Sequence, residues 1–254
     1  MDHFKIFQKK LIELGNDITE IERHFLAFSR QLMNEYVLVI DDIHYELTEI
    51  EYYYQSHEHY DTYLHGKEQQ KKFRTLYVHT KGRGGFDLTF GNGDFYGGIL
   101  IRGIKSKELF ITGQIRLKKH ILKNIGDTLL SKYDSVQEYF DKNKFPIVPK
   151  EKEDISTHKV FHSTRIGLTN KDKDEKKEKF QDAFYRFIRE DYLNGKCEKG
   201  GIPQKTKVQS ICHLMTSGFN IDTKDYNDGT PGAIKKVENY KRINDKIIEY
   251  NNLF

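Results

Sequence analysis

The chain has 254 residues, of which 37% are hydrophobic and 31% charged. That is enough apolar material for a core, which excludes a disordered tail, and enough length for one large domain or two small ones. The net charge is only +4, so a nucleic-acid surface has to come from how the charges are distributed, not from their sum.

Residues 3–33 read as helical. Phe4, Ile6, Phe7, Leu11 and Leu14 form an apolar stripe that Gly15-Asn16 interrupts. Asp17 then caps a second helix, with Glu20 completing an Asp version of the capping box and Ile18, Ile21, Phe25, Leu26, Leu32 and Met33 on the buried face. Strands follow at 36–41, 46–54, 74–80, 86–90, 97–104 and 108–112, with a strong turn signal at Gly91-Asn92-Gly93-Asp94. Short links between consecutive strands imply a largely antiparallel sheet.

Amphipathic helices are expected at 114–125 and 135–142, a loop at 144–156, and a short strand within 158–168. The Lys/Asp/Glu run at 171–179 reads as a solvated loop or helix start. Helices at 180–193, near 204–216 and near 233–251 close the chain. The expected fold is α+β: a compact, largely antiparallel sheet surrounded by helices, with residues 1–194 as the main domain and 195–254 as a helical extension packed on it.

The N-terminal MDHFKIFQKK lacks an apolar signal core, and no apolar run approaches membrane-spanning length. Cys197 and Cys212 are too few for a disulfide framework or a metal site. These features predict a soluble, cytoplasmic, monomeric protein with free thiols and no membrane partner.

Strand 46–54 carries the first chemistry. Alternation puts Leu47, Glu49, Glu51 and Tyr53 on one face and Thr48, Ile50, Tyr52 and Tyr54 on the other. Two carboxylates beside an aromatic fit either a solvent-facing polar side or a pocket floor next to a stacking platform. His57, His59 and His65 are dense, but their spacing completes no known ligand set, so no metal is expected. GRGG (82–85) lacks the Gly-Lys-Ser/Thr ending of a phosphate-binding loop. Arg102, ending an apolar strand, needs a carboxylate or phosphate partner. From His65 to Arg83, Lys67, Lys71, Lys72, Arg74, Lys81 and Arg83 face only Glu68, a concentration of charge that suits phosphates or a solvated basic loop.

Several words in the chain, taken in order, resemble the alkyladenine (methylpurine) DNA glycosylase family. They are EIEYY (49–53), the Asp61-to-His65 spacing, Leu76-Tyr77-Val78-His79, ILIRG (99–103), Arg165-Ile166-Gly167 and Tyr185-Arg186-Phe187. They span roughly residues 18–190. The resemblance implies a single mixed α/β domain and a monofunctional DNA N-glycosylase that needs no cofactor. Such an enzyme flips a damaged or modified base from DNA and leaves an abasic site.

By position, the resemblance makes Glu51 the general base. Tyr53, His65 and His79 would hold the extruded base, with Thr89 screening its exocyclic groups and Arg102 beside the water. Lys67, Lys81, Arg83 and Arg165 would contact DNA. The chain departs from the family at His79, where a tyrosine is usual, and at Gly82, where the family has the tyrosine that wedges into the gap left by the base. Three other functions fit the same residues: a non-catalytic nucleic-acid-binding descendant, a hydrolase of free nucleosides or nucleotides, and excision of a deliberately modified base.

Overall fold

The computed structural model describes residues 2–80, 84–107, 109–165, 167–168, 175–181 and 183–194. The helices expected near 204–216 and 233–251, both cysteines, Lys81, Gly82 and Arg83 lie outside the described residues.

Two capped helices open the chain. The Asp2 carboxylate accepts from the Lys5 amide (3.3 Å) at the start of α1 (His3–Glu13), and Asp17 accepts from the Glu20 amide (3.1 Å) at the start of α2 (Ile18–Glu35). Each carboxylate satisfies an amide that has no partner within its helix. The Glu20 side chain pairs with Arg23, so the capping box is only half made. Phe4, Phe7 and Leu11 of α1 and Ile21, Phe25, Phe28 and Leu32 of α2 form one apolar cluster with the sheet. Rings make much of that contact: Phe25 stacks on Tyr52 at 4.1 Å, and Phe7 meets Phe90 edge-on at 5.2 Å.

The sheet begins with a hairpin of β1 (Tyr36–Ile40) and β2 (Ile43–Gln55). Its turn residues Asp41 and Asp42 have φ of 51° and 59°, the sign a two-residue turn needs to match strand twist. Next come β3 (Phe73–Val78), β4 (Phe86–Phe90), β5 (Tyr96–Ser106) and β6 (Leu109–Thr112). The β4–β5 turn is the expected Gly-Asn-Gly-Asp, closed by the Asp94 and Phe95 amides donating to Asn92 Oδ1. Helices α3 (Gln114–Ile125), α4 (Asp127–Leu130) and α5 (Val136–Lys142) lead to β7 (Ile147–Pro149) and β8 (Val160–Ser163), and α6 (Glu175–Gln181), β9 (Arg186–Arg189) and α7 (Glu190–Asn194) follow. Every strand pair is antiparallel, in the order β3-β4-β5-β2-β1-β7, with β6 on β5 and β9 between β2 and β8. The described residues thus form one mixed α/β domain around a curled antiparallel sheet.

Two expectations are corrected. The stretch 144–156, read as loop, supplies β7, which covers the outer side of β1. The stretch 180–193, read as one helix, contains β9, paired with β2 from Glu49 to Glu51. Phe187 enters the main core, Ile188 packs with Phe110 and Tyr192, and Arg186 reaches Glu49. Closing the exposed edge of β2 and neutralising a buried carboxylate outweigh the local helical pattern.

Candidate functional site

Strand β2 has an apolar face and a polar face, both buried. Ile50, Tyr52 and Tyr54 point into the core, while Glu49, Glu51 and Tyr53 engage the polar side. The alternation predicted from sequence fails at Leu47, which joins the core. The register explains this. Pairing with β5 steps from Leu47↔Ile104 to Glu49↔Gly103 and then to Ile50↔Ile101, passing over Thr48 and Arg102. Irregularities of this kind re-aim side chains, and here the Arg102 guanidinium lies between two carboxylates. Its Nε is 3.2 Å from Glu49 Oε1 and 3.4 Å from Glu51 Oε1.

The two carboxylates have different surroundings. Glu49 also accepts from Arg186 Nε and Tyr192 Oη, each at 2.8 Å. Burial alone would raise its pKa, but the Arg186 and Arg102 charges and the tyrosine hydrogen bond hold it below the usual carboxylate range. Glu51 accepts from Tyr53 Oη at 2.9 Å and from Arg102 Nη1 at 3.4 Å. Burial and then the Glu51 charge push the Tyr53 phenol well above its ordinary value, so Tyr53 is a hydrogen-bond donor across the physiological range. For Arg102, burial opposes the charged form and the Glu51 and Glu49 charges restore it.

Tyr53 and Arg102 form part of the wall of a cavity of about 290 Å³. Rings of Tyr53, Tyr63, His65 and His79 line it, together with Gln70, Asp87, Leu100, Gln114, Gly84, Gly167 and Leu168. The His65 and His79 rings lie 4.7 Å apart at 57°. Burial, then the neighbouring His79 and Lys67, lower the His65 pKa against the opposing Asp87. His79 Nε2 is 2.7 Å from Asp87 Oδ1, and Gln70 Nε2 donates to Asp87 Oδ2 at 2.9 Å. The Lys67 amide donates to Gln70 Oε1 at 3.1 Å, which fixes the orientation of that amide.

Two glycines make this arrangement possible. A Cβ at Gly98 would come within 2.7 Å of Asp87 Oδ2, and one at Gly91 within 2.3 Å of the Gln70 carbonyl. The short 3-10 turn Glu68–Lys71 can therefore dock against the β4–β5 turn and carry Gln70 to the cavity floor.

No known protein family matches the chain, and no curated protein matches its sequence. The resemblance to the glycosylase family therefore rests on the sequence words alone.

Of the residues singled out from sequence, Tyr53, His65, His79 and Arg102 meet around the cavity, with Glu51 hydrogen-bonded to two of them. Thr89 is not part of the cavity wall. It is fully buried, its hydroxyl accepting from the Thr75 amide (3.0 Å) and donating to the Thr75 carbonyl (3.2 Å). Asp87, two residues earlier on the same strand face, lines the cavity.

Arg165, expected on a DNA surface, is buried. Its Nη1 and Nη2 donate to Asp61 at 2.5 and 3.1 Å and to the Tyr52 and Phe180 carbonyls, and the guanidinium lies 4.6 Å from the Tyr53 ring centre. A cation sealed in this way braces the back of the cavity and does not reach a phosphate. Lys67 is exposed beside His65. Three other cations of the basic stretch meet carboxylates of the chain itself: Lys71 with Glu68, Lys72 with Asp141 and Arg74 with Asp2.

Asp87, Gln70 and Tyr63 were missed. Asp87 was legible, because Phe86, Leu88 and Phe90 are apolar and alternation sends Asp87 to the opposite face. Gln70 and Tyr63 carry no such local signal. The dense histidines resolve into separate environments: His59 stacks on Tyr54 at 4.8 Å inside the core, and His65 faces the cavity. No group of metal-holding side chains occurs among the described residues, and no helix among them is long and apolar enough to cross a membrane.

Proposed function

We propose that this chain is a DNA glycosylase of the alkyladenine type, hydrolysing the N-glycosidic bond of a damaged or modified base turned out of the helix. One observation carries the reading: Glu51, fully buried and not itself part of the cavity wall, is hydrogen-bonded to Tyr53 and Arg102, which line a cavity of about 290 Å³. That volume lies at the lower end of small-molecule pockets, roughly 300–1,000 Å³, and suits one flat heterocycle better than a whole nucleotide. Extruding a base costs a few kcal/mol, least for a damaged one. Stacking against Tyr53, Tyr63, His65 or His79 returns about 1–3 kcal/mol per base.

In this scheme the C1′–N bond breaks with its electron pair going to the base, leaving an oxocarbenium-like sugar. Glu51 orients a water and takes its proton as oxygen bonds to C1′, and its charge stabilises the cationic sugar. Arg102 and Tyr53 fix the carboxylate in place. No lysine is needed, so the product is an abasic site and borohydride traps no protein–DNA adduct.

The test is mass spectrometry of bases released from oligonucleotides carrying different lesions. Glu51→Gln should lower release by at least ~10²-fold while leaving binding of a fluorescent oligonucleotide intact. Equal loss of binding and release would refute the catalytic role.

A second reading, hydrolysis of free nucleosides, draws support from the pairing of Lys71, Lys72 and Arg74 with internal carboxylates. Those pairs lie at the surface, partly or wholly exposed, where ion pairs are weak and yield to phosphates. Activity on nucleosides that is insensitive to salt would favour the second reading, because contacts to a DNA backbone weaken steeply with salt.

A further inference from the structure

We infer that Ile115, at the start of α3, is the side chain that enters the base stack when a base is turned out, and that the basic face of α3 grips the duplex around it. The inference rests on the glycosylase reading above, because only a protein that extrudes a base has such a gap to fill. Gln114 lines the cavity, and the next residue, Ile115, is 47% exposed. Within one residue the chain passes from the cavity wall to the protein surface. The other exposed large apolar side chains among the described residues, Ile6, Ile12, Tyr60, Val148 and Ile155, have no chain neighbour in that wall. Isolated apolar residues are common on protein surfaces, so the argument rests on the position of Ile115 and on the residues around it.

The helix that carries Ile115 is firmly seated. Leu117, Ile121 and Ile125 bury one side of α3. Lys118 donates to the His79 carbonyl at 2.7 Å, and a Cβ on Gly85 would come within 3.1 Å of Gln114 Cβ. A β-branched side chain on a helix keeps few rotamers, so Ile115 loses little freedom on insertion.

The opposite side of α3 exposes Arg116, Lys119 and Lys123. Ile115, Lys119 and Lys123, spaced i, i+4 and i+8, form one stripe with Arg116 beside it. The helix sequence QIRLKKHILKNI holds no Asp or Glu. None of the ion pairs among the described residues involves Arg116, Lys119 or Lys123. Lys71, Lys72 and Arg74, by contrast, already meet carboxylates of the chain. At 1.5 Å per residue the stripe is about 12 Å long, the length of about three to four base steps at 3.4 Å each. A stripe of uncompensated cations with one apolar side chain at its cavity end matches a duplex from which one base has been turned out. The cations suit the phosphates and the hydrocarbon suits the gap. Ile115 restores contact with the flanking base pairs and offsets part of the cost of unstacking.

The experiment is fluorescence-anisotropy binding of an intact duplex, the same duplex with a tetrahydrofuran abasic analogue at its centre, and the single strand carrying that analogue. The abasic duplex already contains the gap and offers the cavity no base, so the difference between the duplexes reads the wedge. Wild type should bind the abasic duplex about tenfold more tightly than the intact one. Ile115→Ala should lose most of that preference and bind the single strand as wild type does, while Ile115→Leu retains it. Alanine is the better helix former, so the circular dichroism melt of Ile115→Ala should match wild type. Combining Lys119→Ala with Lys123→Ala should weaken both duplexes alike and reduce the salt slope of log K by about 2, leaving the preference in place. An unchanged preference in Ile115→Ala, or none in wild type, overturns the wedge. A salt slope that the lysine substitutions do not alter overturns the helix face as the duplex-binding surface. Base release from lesion-bearing oligonucleotides judges the glycosylase reading separately. Release by a wild type that shows no abasic preference strikes the wedge alone, whereas absence of release from every lesion, with the preference intact, strikes the catalytic reading.

Discussion

Replacing His59 with phenylalanine will flatten the acid side of the stability curve. His59 is 1% exposed, stacked on Tyr54 and edge-on to Phe180, each at 4.8 Å. Burial first, then the charges of Arg165 and Lys179, lower its pKa from 6.5 to about 3. The unfolded chain therefore takes up a proton near pH 6.5 that the folded protein refuses until about pH 3. The stabilisation is complete above 6.5 and is lost as pH falls through this window. At pH 5 the loss amounts to about 2 kcal/mol, taking 1.36 kcal/mol for each pH unit below 6.5.

A phenylalanine ring keeps both aromatic contacts. It removes a contact with the Tyr185 hydroxyl (3.3 Å) and a buried Nδ1 that has no hydrogen-bond partner. Those changes shift stability by the same amount at every pH, so only the slope reports the titration. Urea melts followed by circular dichroism between pH 7.5 and 5 measure it, since the chain has no tryptophan. Relative to wild type, the variant should gain about 2 kcal/mol over that range. Parallel curves for the two proteins would show that His59 does not titrate as a buried ring and would refute the reasoning.

Two further substitutions probe the frame. Asp61→Ala leaves the Arg165 guanidinium buried without its bidentate partner and should cost about 3–5 kcal/mol, visible as a lower urea midpoint; a cost under about 1 kcal/mol would mean that the pair is not sealed from water. Asp42→Gly puts the residue that best tolerates positive φ into the β1–β2 turn and should raise stability by up to ~1 kcal/mol, whereas a loss of stability would show that the Asp42 side chain contributes more than its backbone costs.

The strands and N-terminal helices were legible because their signals are local. Asp17 is a cap wherever it precedes an apolar stripe, and Phe86-Asp87-Leu88-Thr89-Phe90 alternates openly. What the sequence hid depends on partners distant in the chain. β9 is a strand because β2 and β8 flank it, and nothing within 180–193 encodes that neighbour. Arg165 reads as a surface cation until Asp61, 104 residues away, is brought against it. The register shifts beside Thr48 and Arg102 leave no mark in composition, yet they decide that Arg102 reaches both carboxylates while Leu47 turns to the core. Thr89 was matched by position, but the cavity takes its wall from the residue two places earlier.

The proposed function takes Glu51 and not Glu49 as the reacting carboxylate, and what separates the two is the hydrogen bond from Tyr53, a residue of the cavity wall. Both are buried on one strand and share Arg102. Glu49 is also bonded to Arg186 and Tyr192, and its charge is balanced by buried arginines of two strands. Such a carboxylate is stabilised too well to give up its interactions as a reaction proceeds. Glu51 does not itself line the cavity, but Tyr53 and Arg102, which donate hydrogen bonds to it, do. Asp87, whose hydrogen bonds come from a histidine and an amide, lines the hollow itself. The cavity wall thus holds one carboxylate, Asp87, and one arginine, Arg102, with Glu51 hydrogen-bonded behind Tyr53 and Arg102.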